Sequence, residues 1–343
     1  MLGNQRLRVV VAIALVSVTV MAGQESIGAT NVPTAAVTKG VRHAYVIGRG
    51  DELKIVDLTG GVVAATVETN ARTTGLAVSP DDRTAYVING WIGTISVVDT
   101  ASAHLTKRIK INAQLDSAAI SPDGVLLYVT ASAGGQGLLL AVNTRSGTLY
   151  SVIQVGTTPT GLAVSPDGRR LYVSNNQSGS VAVLDAHTAV PVGTIPVAAL
   201  PQQVAVSPDS STTYVTHAGE TPAANGMVTV IDNNTDKVVD EIEVGAGAWG
   251  LAVSSDGSQL YVSNPLDGTV SVVDTKTRSV RDSIALHAYG AVTAPHDHYV
   301  YLAVDQSTTV LDSDTNLVSA QLDLVGLAGH AFSATTVAVP AGQ

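Results

Sequence analysis

A tyrosine recurs along this chain at a nearly constant interval, and each copy lies in a short apolar run. The recurring residues are Tyr45, Tyr86, Tyr128, Tyr172, Tyr214, Tyr261 and Tyr301. Their spacings are 41, 42, 44, 42, 47 and 40 residues. Seven copies of this length, each with four short strand-like runs, predict an all-β fold, a seven-bladed β-propeller with one four-stranded antiparallel blade per copy. A blade cannot bury both of its faces alone, so the copies must pack in a ring.

The repeating unit is clearest over residues 161–185, which read GLAVSPDGRRLYVSNNQSGSVAVLD. The first apolar run is followed by a turn at 166–168. In that turn proline fixes φ, aspartate bonds to nearby backbone and glycine takes a positive φ. Residues 171–174 and 181–184 are the second and third strands, because they are rich in β-branched and aromatic side chains.

The second-strand sequences carry a resemblance to a known family. YVIN at 86–89 and YVSN at 172–175 and 261–264, with SPDG-type turns before them, resemble the YVTN family of β-propeller repeats. YVTA at 128–131 and YVTH at 214–217 are near variants. The resemblance covers roughly residues 33–340. It implies a secreted or cell-surface protein of bacteria or archaea, and most members of that family have no assigned activity.

The first 22 residues have the pattern of a signal peptide. Arg6 and Arg8 precede an apolar run from Val9 to Ala22, which is too short to span a bilayer comfortably. We expect cleavage after Ala22, with Ala29 as a second candidate, then a linker over 23–32 and the propeller over 33–343. This predicts a secreted, periplasmic or cell-surface protein. An uncleaved leader would be its only attachment to a membrane.

The composition excludes several classes of partner and site. The chain has no cysteine, which rules out disulfides and zinc–thiolate centres. Loss of the leader removes two arginines and moves the net charge from −10 to −12. A domain with this negative charge is a poor candidate for binding nucleic acid or anionic membranes, because both partners are also negatively charged.

Two stretches compete for the inner strand of the first blade, residues 33–46 and residues 335–340. We expect the C-terminal stretch to take this place, because a ring sealed by both chain ends has no free sheet edge. The third strand of each copy ends in Asp or Asn, which in most copies is followed three residues later by Ser or Thr. This spacing predicts turns held by side chains, and it explains much of the acidic content without catalysis. The strand-ending residues are Asp57, Asp99, Asn143, Asp185, Asp232, Asp274 and Asp312.

Function is expected where the copies differ, on the face that carries the loops from fourth to first strands and from second to third strands. Both tryptophans fall in these loops. Aromatic rings together with amides suit the binding of sugars or peptides. We therefore predict a ligand-binding set on this face. Its members are Trp91, Trp249, Tyr289, Asn89, Asn175 and Asn264.

The same face is expected to carry His217, Glu220, His287 and His330. These residues are candidates for a divalent metal site or for general acid–base catalysis. No local metal-binding spacing supports them, and motifs for a nucleophile elbow, a phosphate loop or a dinucleotide site are absent.

Three functions therefore stay open at the level of the sequence. The first, which we prefer, is a non-enzymatic binding scaffold without a cofactor, which presents the loop face to a protein, peptide or glycan. The second is a propeller enzyme of lactonase or lyase type that uses the histidines and Glu220. The third is a structural protein of the cell surface. Fold alone does not choose between them.

Overall fold

The computed structural model describes residues 7–11, 43–47, 51–58, 60–69, 72–219, 224–293, 298–304, 307–323 and 336–342. These residues form seven antiparallel sheets. One strand of each sheet contacts the corresponding strands of both neighbouring sheets all the way around, so the sheets are the blades of a closed ring with these strands at its centre. The predicted seven-bladed propeller is therefore confirmed.

The blades follow one another in chain order, and within a blade the strands run in sequence from the centre outwards. Blade two consists of β5 (Gly75–Val78), β6 (Thr84–Asn89), β7 (Thr94–Asp99) and β8 (His104–Lys110), and blade three consists of β9 (Gln114–Ile120), β10 (Leu126–Ala133), β11 (Gln136–Asn143) and β12 (Leu149–Gln154). Blade four consists of β13 (Pro159–Val164), β14 (Arg170–Asn175), β15 (Ser180–Asp185) and β16 (Pro191–Pro196), and blade five consists of β17 (Pro201–Val206), β18 (Thr212–His217), β19 (Asn225–Asp232) and β20 (Lys237–Ala246). Blade six consists of β21 (Leu251–Val253), β22 (Gln259–Asn264), β23 (Thr269–Asp274) and β24 (Ser279–Ala285), and blade seven consists of β25 (Gly290–Thr293), β26 (Tyr299–Val304), β27 (Ser307–Asp312) and β28 (Leu317–Asp323). A 3-10 turn at Gly90–Ile92 follows β6.

The first blade joins the two ends of the chain. Its strands are β1 (Leu7–Val11), β29 (Thr336–Gly342), β2 (His43–Ile47), β3 (Glu52–Asp57) and β4 (Val62–Glu68), in the order β1-β29-β2-β3-β4. Strand β29 is antiparallel to β2, with Tyr45 opposite Ala338. The expectation that the C-terminal stretch closes the ring is thus confirmed. Strand β1 lies on the other edge of β29.

The recurring tyrosines hold the core together. All seven lie in the second strand of a blade and are 4 % exposed or less. Each packs among aliphatic side chains between blades, as Tyr45 of blade one does with Leu76 and Val78 of blade two. Such burial stabilises each interface by about 2 kcal/mol per large side chain, and it explains why the repeat is apolar on both faces.

The turns are built as their sequences predict. In the turn after β9, the Ser121 hydroxyl donates to Asp123 Oδ1 at 2.6 Å, Val125 N donates to the same oxygen, and Gly124 has φ +71°. The Ser121 hydroxyl and the Val125 amide hold the pKa of Asp123 below its usual value. After the third strand, Asp185 Oδ1 accepts from both the amide and the hydroxyl of Thr188.

No helix in the described ranges is long and apolar enough to cross a membrane. Of the predicted leader only residues 7–11 are described. Its cleavage stays a prediction.

Candidate functional site

One residue from each of blades two to seven sits where the chain enters the inner strand, and together these residues surround the channel on the loop face. We call this set the mouth ring. It consists of Thr74, Asp116, Thr160, Gln202, Trp249 and Tyr289. The equivalent residue of the first blade lies outside the described residues.

The mouth ring is rigid because hydrogen bonds pass from one blade to the next. The Thr160 hydroxyl donates to the carbonyl of Gln202 at 2.9 Å, and the Ser174 hydroxyl donates to the same oxygen at 2.6 Å. In the next blade the Thr216 hydroxyl donates to the carbonyl of Trp249 at 2.6 Å. These bonds satisfy carbonyls of inner strands that lie at the edges of their sheets.

Asp116 is the acidic member of the mouth ring. Its side chain is largely enclosed by protein and partly exposed to solvent. It makes no hydrogen bond and no ion pair with the described part of the chain. Burial raises the pKa of Asp116 to about 8, because the charged form loses hydration without gaining a partner.

Trp249 and Tyr289 directly precede the inner strands of the adjacent blades six and seven, and His287 contacts Tyr289. The rings of His287 and Tyr289 meet edge to face, with centroids 4.9 Å apart. The Nε1–H group of Trp249 is buried and has no hydrogen-bond partner within the described residues. A buried donor of this kind costs about 1–3 kcal/mol when nothing binds it.

His287 has one nitrogen held by the protein. Its Nε2 lies 2.8 Å from the carbonyl oxygen of Pro265, and a carbonyl can only accept, so Nε2 carries the proton. In the neutral ring Nδ1 then carries the lone pair, and among the described residues it has no partner. Histidines that bind metals are oriented in this way, with the second ring nitrogen donating to a carbonyl or carboxylate.

His217 differs from what its sequence context suggests. It is the last residue of β18 and is only 2 % exposed, so the expectation of a histidine available in a loop is wrong. Nδ1 lies 3.1 Å from the carbonyl oxygen of Ala199, and Nε2 lies 2.8 Å from the Thr229 hydroxyl. Burial lowers the pKa of His217, which therefore serves as a neutral part of the core.

Glu220 and His330, the other members of that predicted set, lie outside the described residues. Over the described ranges no group of three or more His, Asp or Glu side chains could hold a metal ion. The structure brings neither His217 nor His287 into such a group.

The three asparagines predicted to bind a ligand are each 0 % exposed. Asn89 Oδ1 accepts from the Ser96 hydroxyl at 2.7 Å, and Asn175 Oδ1 accepts from the amide of Gly156 at 2.9 Å. Asn264 donates to the Ser271 hydroxyl at 2.8 Å. These contacts join the end of each second strand to neighbouring chain, and they leave no amide surface exposed for a ligand.

Trp91 is the most accessible aromatic ring on the loop face, with 61 % of its surface exposed. It lies in the 3-10 turn, and the guanidinium carbon of Arg72 is 5.7 Å from the centroid of its ring. A cavity of about 290 Å³ lies beside it, lined by residues that include Lys110, Asn112 and Gln114.

Comparison with known proteins identifies the family. The model of the cytochrome D1 heme domain matches residues 4–119 and 93–224, which together make up well over half of the chain. The chain belongs to the cytochrome D1 heme domain family. No curated protein matches it significantly.

Two solved structures are similar in fold to this member of the cytochrome D1 heme domain family. Kuenenia stuttgartiensis hydrazine synthase matches with a TM-score of 0.63 and 22 % identity, over 72 % of this chain and 85 % of that chain. The dihydro-heme d1 dehydrogenase NirN in complex with DHE matches with a TM-score of 0.61 and 16 % identity, over 85 % of this chain and 76 % of that chain. At these identities the likeness shows the fold.

Membership of the cytochrome D1 heme domain family overturns two expectations. A non-enzymatic scaffold presenting its loop face to a protein, peptide or glycan was predicted, and that prediction is wrong. The expectation that no cofactor is involved is wrong as well, because the family is one of heme domains. The repeated residues indicate only the fold, so the YVTN-type motifs gave no indication of a cofactor.

Sequence reasoning missed two features of the site. Asp116 is not among the predicted site residues, although it is the one carboxyl group in a described ring of hydroxyl, amide and aromatic residues. His287 was grouped with His217, whereas the structure places its ring against Tyr289. A comparison of the residues at equivalent positions near the start of each inner strand would have found Asp116.

Proposed function

We propose that this propeller binds a heme-type tetrapyrrole on its loop face, at the mouth of the channel over blades six and seven. The observation that carries the proposal is the geometry of His287, whose Nε2–H is held by the Pro265 carbonyl while Nδ1 keeps a lone pair. Family membership supplies the class of cofactor.

The residues present fit such a group. Heme iron is often held by an imidazole nitrogen, and His287 Nδ1 would be the atom that binds it. Trp249 and Tyr289 would contact the faces or edges of the macrocycle, since aromatic rings pack well against flat conjugated systems. The Trp249 indole N–H has no partner within the described residues and would donate to a polar substituent of the macrocycle.

When bound, the tetrapyrrole would supply a redox-active iron. The task of the protein is to hold and orient the group. The Pro265 carbonyl fixes the tautomer and plane of His287, and the Thr216 bond to the Trp249 carbonyl fixes the strand that carries the indole. Both restraints end on backbone carbonyls of the protein itself, so they do not require the cofactor.

The first experiment is reconstitution of the purified full-length chain with ferric protoporphyrin IX, followed by absorption spectroscopy. We expect one equivalent to bind and to give a shifted Soret band. In His287→Ala the band of the ligated form should be lost and affinity should fall at least tenfold. His104→Ala is the matched control, because His104 is exposed on the outer strand β8.

Binding that is substoichiometric, or identical spectra for the wild type and His287→Ala, would contradict the proposal. Circular dichroism and the thermal midpoint must show that the variant is folded. Addition of imidazole should restore the ligated spectrum in His287→Ala if the missing nitrogen is the cause.

We also propose that the protein acts outside the cytoplasm, on the basis of the leader and of the YVTN-like motifs in its second strands. Mass spectrometry of the protein recovered from its own host would test this. An N-terminus at residue 23 or 30 supports export, whereas an intact Met1 in a cytoplasmic fraction contradicts it.

A further inference from the structure

Blades three, four and five place a carboxyl, a hydroxyl and an amide side by side on the mouth ring. These groups belong to Asp116, Thr160 and Gln202, at equivalent positions of β9, β13 and β17. The inner strands of these blades contact one another. We call this set the polar arc.

Asp116 differs from the turn aspartates of the propeller. In the turns, hydroxyl and amide donors lower the pKa of the carboxyl group, as Ser121 and Val125 do for Asp123. Asp116 has no donor and no cation within the described residues. Buried carboxylates are normally paired, so a cation is the partner that this site lacks.

Within the described ranges no charged group takes that role. The elements packed against β9 are β5, β6, β10, β13 and the 3-10 turn. Their only titratable side chains are Tyr86 and Tyr128, both buried in the core. The nearest arginine along the chain before β5, Arg72, lies over the ring of Trp91.

Gln202 adds an acceptor. Its side chain is 7 % exposed and its amide makes no hydrogen bond within the described residues. The Thr160 hydroxyl, by contrast, already donates to the carbonyls of Pro201 and Gln202. The arc therefore offers acceptors for a molecule that brings several N–H donors and a positive charge.

We propose that the polar arc binds a small primary ammonium ion. The ammonium group donates to the Asp116 carboxylate and to Gln202 Oε1, and its remaining hydrogen faces solvent. At neutral pH the carboxyl proton of Asp116 passes to solvent as the cation binds. This site is separate from His287 and does not depend on the tetrapyrrole.

The test uses the tetrapyrrole-free, full-length chain with Trp91→Phe, in which Trp249 is the remaining tryptophan. Trp249 belongs to the blade next to Gln202, so its fluorescence reports on the arc. The probes are propylammonium chloride and tetramethylammonium chloride at equal ionic strength. We expect a saturable change with propylammonium, which has N–H donors, and none with tetramethylammonium, which has none.

Affinity for propylammonium should rise about tenfold per pH unit from pH 6 towards pH 8, because Asp116 must lose its proton to bind the cation. Asp116→Asn should weaken binding at least tenfold. Gln202→Glu should tighten it. Asp282→Asn is the control, since Asp282 is exposed on the outer strand β24.

Equal responses to the two probes, or unchanged affinity in Asp116→Asn, would overturn the proposal. If Asp116→Asn unfolds, an unchanged affinity in Gln202→Glu together with the absence of any pH dependence would overturn it equally. His287→Ala should bind propylammonium normally, so failure of the tetrapyrrole proposal and failure of this one are distinguishable.

Discussion

The hydroxyl of Tyr45 donates to Asp82 Oδ1 at 2.7 Å, across 37 residues of sequence and from blade one to blade two. Tyr261 makes the corresponding contact to Asn316 of blade seven at 2.7 Å. In both cases a second-strand tyrosine reaches a turn of the next blade. The tyrosine therefore joins blades through its ring and through its hydroxyl.

Tyr45→Phe should lower the free energy of unfolding by about 1–2 kcal/mol, because it removes a buried hydrogen bond and leaves the Asp82 carboxyl group with one donor fewer. Urea unfolding followed by circular dichroism measures this loss. Tyr214→Phe is the control, since the Tyr214 hydroxyl makes no hydrogen bond within the described residues. Equal losses in the two variants would show that the bond between blades contributes nothing.

Replacement by glycine should change the thermal midpoint in opposite directions at two arginines of blade six, one in the turn between the third and fourth strands and one in the fourth strand. Arg278 has φ +55°, a left-handed conformation that costs a non-glycine residue about 1 kcal/mol. Its ion pair with Asp240, at 3.6 Å, is exposed and contributes little. Arg278→Gly should therefore raise the thermal midpoint.

Arg281→Gly should instead lower the midpoint, since Arg281 lies within strand β24, where glycine costs about 0.5–1 kcal/mol. Shifts of the same sign in both variants would contradict the assignment of strain to Arg278.

The fold could be predicted because its determinants are local and repeated. Turns such as Ser121–Gly124 and Asp185–Thr188 are closed by residues two or three positions apart, so their spacing is visible in the sequence. The site is different in kind. Asp116 is distinctive because β5, β10 and β13 provide no hydrogen-bond donor or cation for its carboxyl group. This depends on contacts between blades, so it cannot be predicted from spacing along the chain.

His217 shows the same limit. YVTH looks like a variant of YVTN with a reactive side chain, but the register of β18 against β19 and the approach of Ala199 engage both ring nitrogens. The sequence motifs did not indicate the class of cofactor either, because a single ligating residue, the role proposed for His287, leaves no repeating pattern.

His217 should make the stability of the protein depend on pH. Burial lowers its pKa in the folded state, so below the unfolded value of about 6.5 the unfolded chain binds more protons than the native one. Stability should then fall as the pH drops below about 6.5, by up to about 1.4 kcal/mol per unit from this group.

His217→Asn should remove that share of the pH dependence, because Asn occupies the same place at Asn89, Asn175 and Asn264. Urea unfolding at pH 5 and pH 7 provides the measurement. His187→Asn, at an exposed histidine, should leave the difference between the two pH values unchanged. If His217→Asn behaves in the same way as that control, the buried imidazole is not the source of the effect.

The last prediction tests whether Asn175, which the sequence analysis predicted to contact a ligand, stabilises the fold or binds the ligand. Its Oδ1 accepts from the amide of Gly156, which ties blade four to the loop entering it. Asn175→Ala removes this acceptor, which is fully buried, from the Gly156 amide, so the free energy of unfolding should fall by about 1–3 kcal/mol. Asn112→Ala, at an exposed residue lining the cavity beside Trp91, should change stability by less than about 0.5 kcal/mol. A stable Asn175→Ala variant that loses tetrapyrrole binding would reverse the assignment and return Asn175 to the site. A destabilised variant that still binds tetrapyrrole when folded would show that the asparagine builds the loop and takes no part in recognition.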